Sequence, residues 1–212
     1  MKITYDQGFQ RARHKDHLRL ESAIPKKYFV DRKLKNILLM LGLKFDWYAF
    51  FEETYQKRKS PIEFLDSGCG EGYALVDFRH YLGDKARLTG ITLNPKHVQA
   101  IQALPEKLQP DEVIVGPLEY HLFDRQFDFI LDYLGPAHYF PAIAIKKYGQ
   151  ILNNTGIAIT KLPLYDHNIA DRVGNTTNKV TGAEQLLRKS GLEVIEFRAD
   201  NLEMSVLLKK AT

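Results

Sequence analysis

From residue 61 onward the chain alternates short apolar runs with stretches whose apolar residues recur at helical spacing. The runs at 62–66, 87–92, 112–115, 127–132 and 156–162 are dense in Ile, Leu, Val and Phe, as expected of strands buried on both faces of a parallel sheet. Between them, 71–82, 95–104, 138–152 and 181–190 read as helices, with a short turn near 118–122. Alternation of this kind predicts an α/β fold, a mostly parallel sheet with helices on both faces. Two last runs, 192–198 and 203–209, are joined by the polar residues Ala199-Asp200-Asn201. So short a link allows only an antiparallel C-terminal hairpin.

The first 60 residues carry a different pattern. Residues 1–20 are polar and irregular, an arm that orders only in context. Asp31 is placed to cap a helix through Leu34, Ile37, Leu38 and Leu41 that ends near Gly42. A second helix is expected after Asp46, with Trp47, Phe50, Phe51 and Tyr55 as an aromatic stripe that packs on the core. The expected organisation is a helical extension over 1–60 and one α/β domain over 61–212, with no internal repeat or low-complexity linker.

The first strand of that domain runs into Asp66-Ser67-Gly68-Cys69-Gly70-Glu71-Gly72 and then into a helix. Glycine permits positive φ and close backbone approach, and the first N–H groups of the next helix face whatever lies there. A dinucleotide site wants G-x-G-x-x-G, and a phosphate loop wants a lysine after its last glycine. Neither is present. The pattern D-x-G-x-G-x-G instead resembles the first motif of class I S-adenosylmethionine (SAM)-dependent methyltransferases. The resemblance implies a Rossmann-like, seven-stranded sheet with SAM as cofactor. It also implies that Asp66, Ser67, Gly68, Cys69, Gly70 and Gly72 surround the methionine end, and that the N-terminal extension serves as a lid. A side chain at Gly68 is expected to stand where the ligand lies, and Asp66 either accepts from the ligand's ammonium or fixes the loop. Cys69, with no histidine partner in view, reads as structural.

Ligands of open α/β sheets bind beyond the carboxyl ends of the strands. After the second strand the family usually has an acid that accepts from both ribose hydroxyls. Here Thr92, Leu93 and Asn94 stand in its place, and Gly90-Ile91-Thr92-Leu93-Asn94 resembles the cyclopropane fatty-acid synthase branch. Asn94 before Pro95 also reads as a helix cap. After the third strand, Pro117 and Leu118 take the place of the usual adenine-binding aspartate, with Glu119 the nearest carboxylate. Phe127-Asp128-Phe129-Ile130-Leu131 resembles the family's fourth motif, and Asp132, Tyr133 and His138 follow it. The resemblance places that loop at the transferring methyl, with His138 and Tyr133 as catalytic candidates and Asp132 among the cofactor contacts. A helix-start cluster of His138, Tyr139 and Phe140 packing on the sheet is the alternative. Lys161, Tyr165, Asp166 and His167 lie near the same edge.

Charge and composition narrow the partners. A formal charge of +4 and a pI near 9.0 are mildly basic. The cations near the N-terminus are interleaved with Asp16, Glu21 and Asp31, which favours a solvated helical face over a nucleic-acid footprint. The methyltransferase resemblance implies a methyl acceptor that the sequence does not identify, expected to be a small molecule or lipid-like. A nucleic-acid methyltransferase, or a non-catalytic SAM- or nucleotide-binding module working through protein contacts, is the alternative. One cysteine excludes an internal disulfide and points to the cytoplasm. No apolar run is long enough to cross a membrane, and no signal-like segment opens the chain. The seven histidines form no metal-ligand spacing, and there is no G-x-S-x-G turn.

Overall fold

The computed structural model describes residues 1–5, 34–163, 185–199 and 203–211. In chain order the elements are β1 (Lys2–Tyr5), α1 (Leu34–Leu41), α2 (Trp47–Arg58), β2 (Ile62–Asp66), α3 (Tyr73–Leu82), β3 (Ala86–Thr92) and α4 (Pro95–Gln102). They continue with β4 (Glu112–Val115), β5 (Phe127–Asp132), α5 (Pro136–Tyr139), α6 (Pro141–Ile151), β6 (Leu152–Pro163), β7 (Leu192–Ala199) and β8 (Glu203–Lys210). Residues 185–189 are also helical.

The strands form one eight-stranded sheet in the order β1-β4-β3-β2-β5-β6-β8-β7. Pairing is parallel from β1 to β6, and β8 is antiparallel to both β6 and β7. All seven expected strands are present, and β1 adds an eighth. Lys2–Tyr5 pairs parallel with Glu112–Val115, although only Ile3 among its side chains is clearly apolar. Polar contacts to β4 supply what apolar burial does not: Thr4 Oγ1 donates to Glu112 Oε1 at 2.9 Å, and Lys2 Nζ lies 3.0 Å from the same oxygen. The rest of the expected N-terminal arm, Asp31, and the residues Tyr165, Asp166 and His167 lie outside the described residues.

Local chemistry explains where elements begin and break. Gly72 has φ 82°, outside the helical region, so α3 starts at Tyr73 rather than at 71. The single helix expected over 138–152 is two, α5 and α6, because Pro141 has no N–H to continue the ladder and Phe140 turns out at φ −136°, ψ 63°. Asp46 caps α2 as expected, accepting from Ala49 N at 3.0 Å.

Helices cover both faces. On one, Trp47 and Phe51 of α2 and Phe78 of α3 close over Phe64 and Phe129 of the sheet. Ring centroids lie 4.2 Å apart for Phe64–Phe78 and 5.0 Å for Trp47–Phe129. The aromatic stripe of α2 is therefore core, and each such pair adds about 0.5–1.5 kcal/mol beyond area burial. On the other face α6 buries Ala144, Ile145 and Tyr148 against Leu65, Ile130 and Val206.

Toward the amino ends of the strands a cluster of charges ties four segments together. Arg125 donates to Glu112 Oε2 at 2.7 Å and to Thr89 Oγ1 at 2.9 Å, and its Nε lies 3.1 Å from Glu63. Burial opposes ionisation of Glu112, but hydrogen bonds from Arg125, Lys2 and Thr4 outweigh it and hold the carboxyl at about 2. Burial pushes Glu63 the other way, upward, against the attraction of Arg125. A depressed carboxyl contributes stability above its unfolded value of 4.5, and that contribution is lost as pH falls toward 2. Glu112→Gln is expected to flatten the loss of stability across that window in urea titrations run at successive pH values. Arg125→Met removes the guanidinium shared by Glu112, which keeps Lys2 and Thr4, and the half-buried Glu63, and is expected to cost about 1–3 kcal/mol at neutral pH by the same measurement.

Candidate functional site at the carboxyl edge of the sheet

β2 lies between β3 and β5, with Asp66 opposite Gly90 on one side and Leu131 on the other. The turn that follows is pinned to both neighbours. Ser67 N donates to Leu131 O and Cys69 N to Ile91 O, each at 2.9 Å. Asp66 is buried and accepts from Gly68 N at 3.2 Å. Gly70 and Gly72 have φ of 52° and 82°, which favour glycine. Gly72 N closes the turn onto Cys69 O at 2.8 Å, and α3 begins there without a side-chain cap.

A Cβ at Gly68 would lie 2.7 Å from Gly135 Cα, so the position lets two backbones meet. Gly135 is similarly confined, since its own Cβ would lie 2.5 Å from Asp132 Oδ1. Cys69 is buried, and Gly90 is what admits it: a Cβ at Gly90 would meet Cys69 Sγ at 2.8 Å.

A buried hydrogen-bond chain joins the turn to the loop after β5. Ser67 Oγ is 2.8 Å from the Tyr148 hydroxyl, which donates to Asp132 Oδ2. Asp132 also accepts from Gly135 N and Ala137 N, both at 2.8 Å. Burial, and then the Asp132 charge, push the Tyr148 hydroxyl well above its ordinary value, so it stays a donor. Ser67 and Asp132 thus spend their side chains on protein partners. Tyr148 had no sequence signal beyond its place on the apolar face of α6, where a tyrosine reads as packing.

After β3, Thr92 is buried, its hydroxyl 2.8 Å from His97 Nδ1 and accepting from Asn94 N at 3.2 Å. Asn94 caps α4, accepting from Lys96 N at 3.0 Å, with Pro95 in the first turn. Leu93 is half-buried. After β4, Pro117 and Leu118 are both buried, and Leu118 packs with Leu65 and Ile91 in the α6-side core.

The loop after β5 gathers a second group. Tyr133 is buried, and its hydroxyl donates to Met40 Sδ of α1 at 2.9 Å. Lys161 Nζ lies 5.8 Å from the centre of the Tyr133 ring and pairs with Glu203. Glu203 Oε1 lies 3.8 Å from His138 Nδ1, and the His138 ring stands perpendicular to Tyr139 at 5.1 Å. The fold therefore brings Tyr133, His138 and Lys161 into one corner and adds Glu203 from the start of β8. Its distance along the chain left Glu203 without any sequence signal. Among the described residues no cluster of three or more metal-ligating side chains occurs, and no helix is long and apolar enough to cross a membrane.

Residues 65–160 match the model of a family described as a methyltransferase domain. No curated protein matches the chain. Among solved structures, similar ones include an S-adenosylmethionine-dependent methyltransferase from Clostridium acetobutylicum, 14% identical with a TM-score of 0.57 over 80% of this chain and 94% of the other. The glycopeptide N-methyltransferase MtfA complexed with sinefungin is 11% identical with a TM-score of 0.54, covering 83% and 96%. A TehB-like SAM-dependent methyltransferase from Corynebacterium glutamicum is 16% identical with a TM-score of 0.50, covering 94% and 98%. At these identities the likeness speaks for the fold alone. The family match takes in the glycine turn, the loop after β5 and most of β6. The sheet order and the glycine turn agree with that match: the fold is Rossmann-like, and residues 65–160 are the part of it that matches a methyltransferase domain.

Proposed function

We propose that the protein is a SAM-dependent methyltransferase acting on a small-molecule or lipid-like acceptor. One observation carries the reading: the turn 66–72 is held by main-chain bonds to both neighbouring strands, with left-handed glycines and an uncapped helix start at the carboxyl edge. That arrangement suits a zwitterionic amino-acid group. The Asp66 carboxylate accepts from the ammonium, and N–H groups at the start of α3 face the carboxylate. Main-chain groups of 67–72 line the methionine end. Thr92 and Leu93 border the ribose, and Pro117 and Leu118 border the adenine. Ser67 and Asp132 act through Tyr148 as positioning residues, holding the turn against the loop after β5.

The residues fit the methionine end better than the ribose. Charge-assisted hydrogen bonds are roughly twice as strong as neutral ones, and the Thr92 hydroxyl is already shared with His97 and Asn94 N. SAM supplies an electrophilic methyl group on its sulfonium. The protein's share is to hold the acceptor at near-attack distance, with Tyr133 walling the site and His138 taking the acceptor's proton. Of the N-terminal segment, α1 is the part that serves as a lid, its Met40 meeting the Tyr133 hydroxyl, since β1 belongs to the sheet and α2 to the core. The single buried cysteine suits the cytoplasm.

A second reading, a non-catalytic SAM-binding module, is favoured by the neutral ribose-side residues. It shares the pocket and differs only in turnover.

Titration calorimetry with SAM and S-adenosylhomocysteine is expected to give a binding isotherm, and absence of heat at millimolar ligand overturns the proposal. Asp66→Asn is expected to weaken both ligands by about tenfold or more, the loss of one charge-assisted bond. Tyr148→Phe takes a donor from a buried carboxylate and is expected to lower stability by about 1–3 kcal/mol in thermal denaturation, with ligand affinity falling in parallel. Substitution of Gly68 is expected to lower stability and affinity together, as a clash with Gly135 requires.

A further inference from the structure

We infer that Glu203, held by Lys161, is a positioning residue that sets the tautomer and basicity of His138. The inference rests on the methyltransferase reading for its purpose, but its physical content stands on the corner itself. His138 is on the short helix α5, Lys161 near the end of β6 and Glu203 at the start of β8, residues 65 positions apart brought within ion-pair reach. All three side chains are largely withdrawn from solvent, with exposures of 16%, 12% and 21%, so their charges are weakly screened.

A carboxylate 3.8 Å from Nδ1 favours the tautomer that carries its proton there, which leaves Nε2 as the basic nitrogen. When an acceptor O–H or N–H attacks the methyl carbon, the carbon–sulfur bond breaks with its electron pair staying on sulfur. The acceptor's proton passes to Nε2. The resulting imidazolium sits beside Glu203, which stabilises it, and the proton later leaves to water. Lys161 has two effects of opposite kind. It fixes the Glu203 carboxylate in place, and its own charge disfavours the imidazolium.

Other described groups also border α5. Asp132 of β5 accepts from Ala137 N in the first turn of α5 and from Tyr148 of α6. Tyr133 faces Met40 and Lys161, and Tyr139 presents its ring to His138. Of these, Asp132 and Glu203 favour the imidazolium, and Lys161 opposes it. Glu203 is the carboxylate in direct ion-pair contact with the ring.

The test is nitrogen-15 NMR of the His138 ring across pH, with His138→Gln supplying the assignment. Glu203→Gln is expected to lower the titration midpoint by about one pH unit and to shift the neutral ring away from the Nδ1-protonated tautomer. Lys161→Met is expected to move the midpoint upward. Opposite signs from two neighbours are not what a structural role would produce. Glu203→Asp, which keeps the charge but draws it back, should fall between Glu203→Gln and wild type and covers the case in which Glu203→Gln fails to fold. A wild-type midpoint and tautomer ratio in every Glu203 variant that folds overturns the inference. S-adenosylhomocysteine binding is followed in the same samples. Its absence from the wild-type protein counts against the methyltransferase reading, while the titration still decides the role of Glu203.

Discussion

The carboxylate of Asp132 is the constraint on which the site depends. It lies at the end of β5, wholly buried, and accepts from Gly135 N, Ala137 N and the Tyr148 hydroxyl. A buried charge is tolerated only when its lone pairs are met, so these donors cannot be displaced one at a time without cost. Through Tyr148 the same chain reaches Ser67, and through Gly135 it meets the backbone of Gly68. The glycine turn and the loop after β5 are consequently tied to each other by side chain and backbone.

Stability and chemistry occupy opposite ends of the sheet. The Arg125–Glu112–Glu63 cluster and the pair Arg58–Asp128 tie the strands near their amino ends, while the aromatic layer of α2 and α3 fills one face. The carboxyl ends are thereby left to turns and short helices whose polar groups can be arranged for a ligand. Lys161, Glu203 and His138 gather titratable groups at that end.

Strand positions were legible because a buried parallel strand has a one-dimensional signature, an apolar run of fixed length between turns. The central strands at 62–66, 112–115 and 127–132 fall where the pattern puts them, and Asp46 and Asn94 cap their helices by rules that act within three residues. β1 was not legible, because its hold on the sheet comes from Lys2 and Thr4 reaching Glu112, a contact 108 residues away for Thr4. The break at Pro141 was open to the same local rules, since a proline inside a helical run marks a boundary.

By itself the sequence determined the α/β class, the strand-turn-helix that opens the domain, and the glycine spacing that resembles the first methyltransferase motif, because all three depend on neighbours along the chain. Tertiary structure alone decided which distant side chains meet. Ser67 and Asp132, far apart in sequence, both bond to Tyr148. Glu203 looks like an ordinary strand residue and turns out to stand beside His138. The physical reason is that a hydrogen bond or ion pair acts over a few ångströms, whatever the separation along the chain, and folding sets which distant residues come that close.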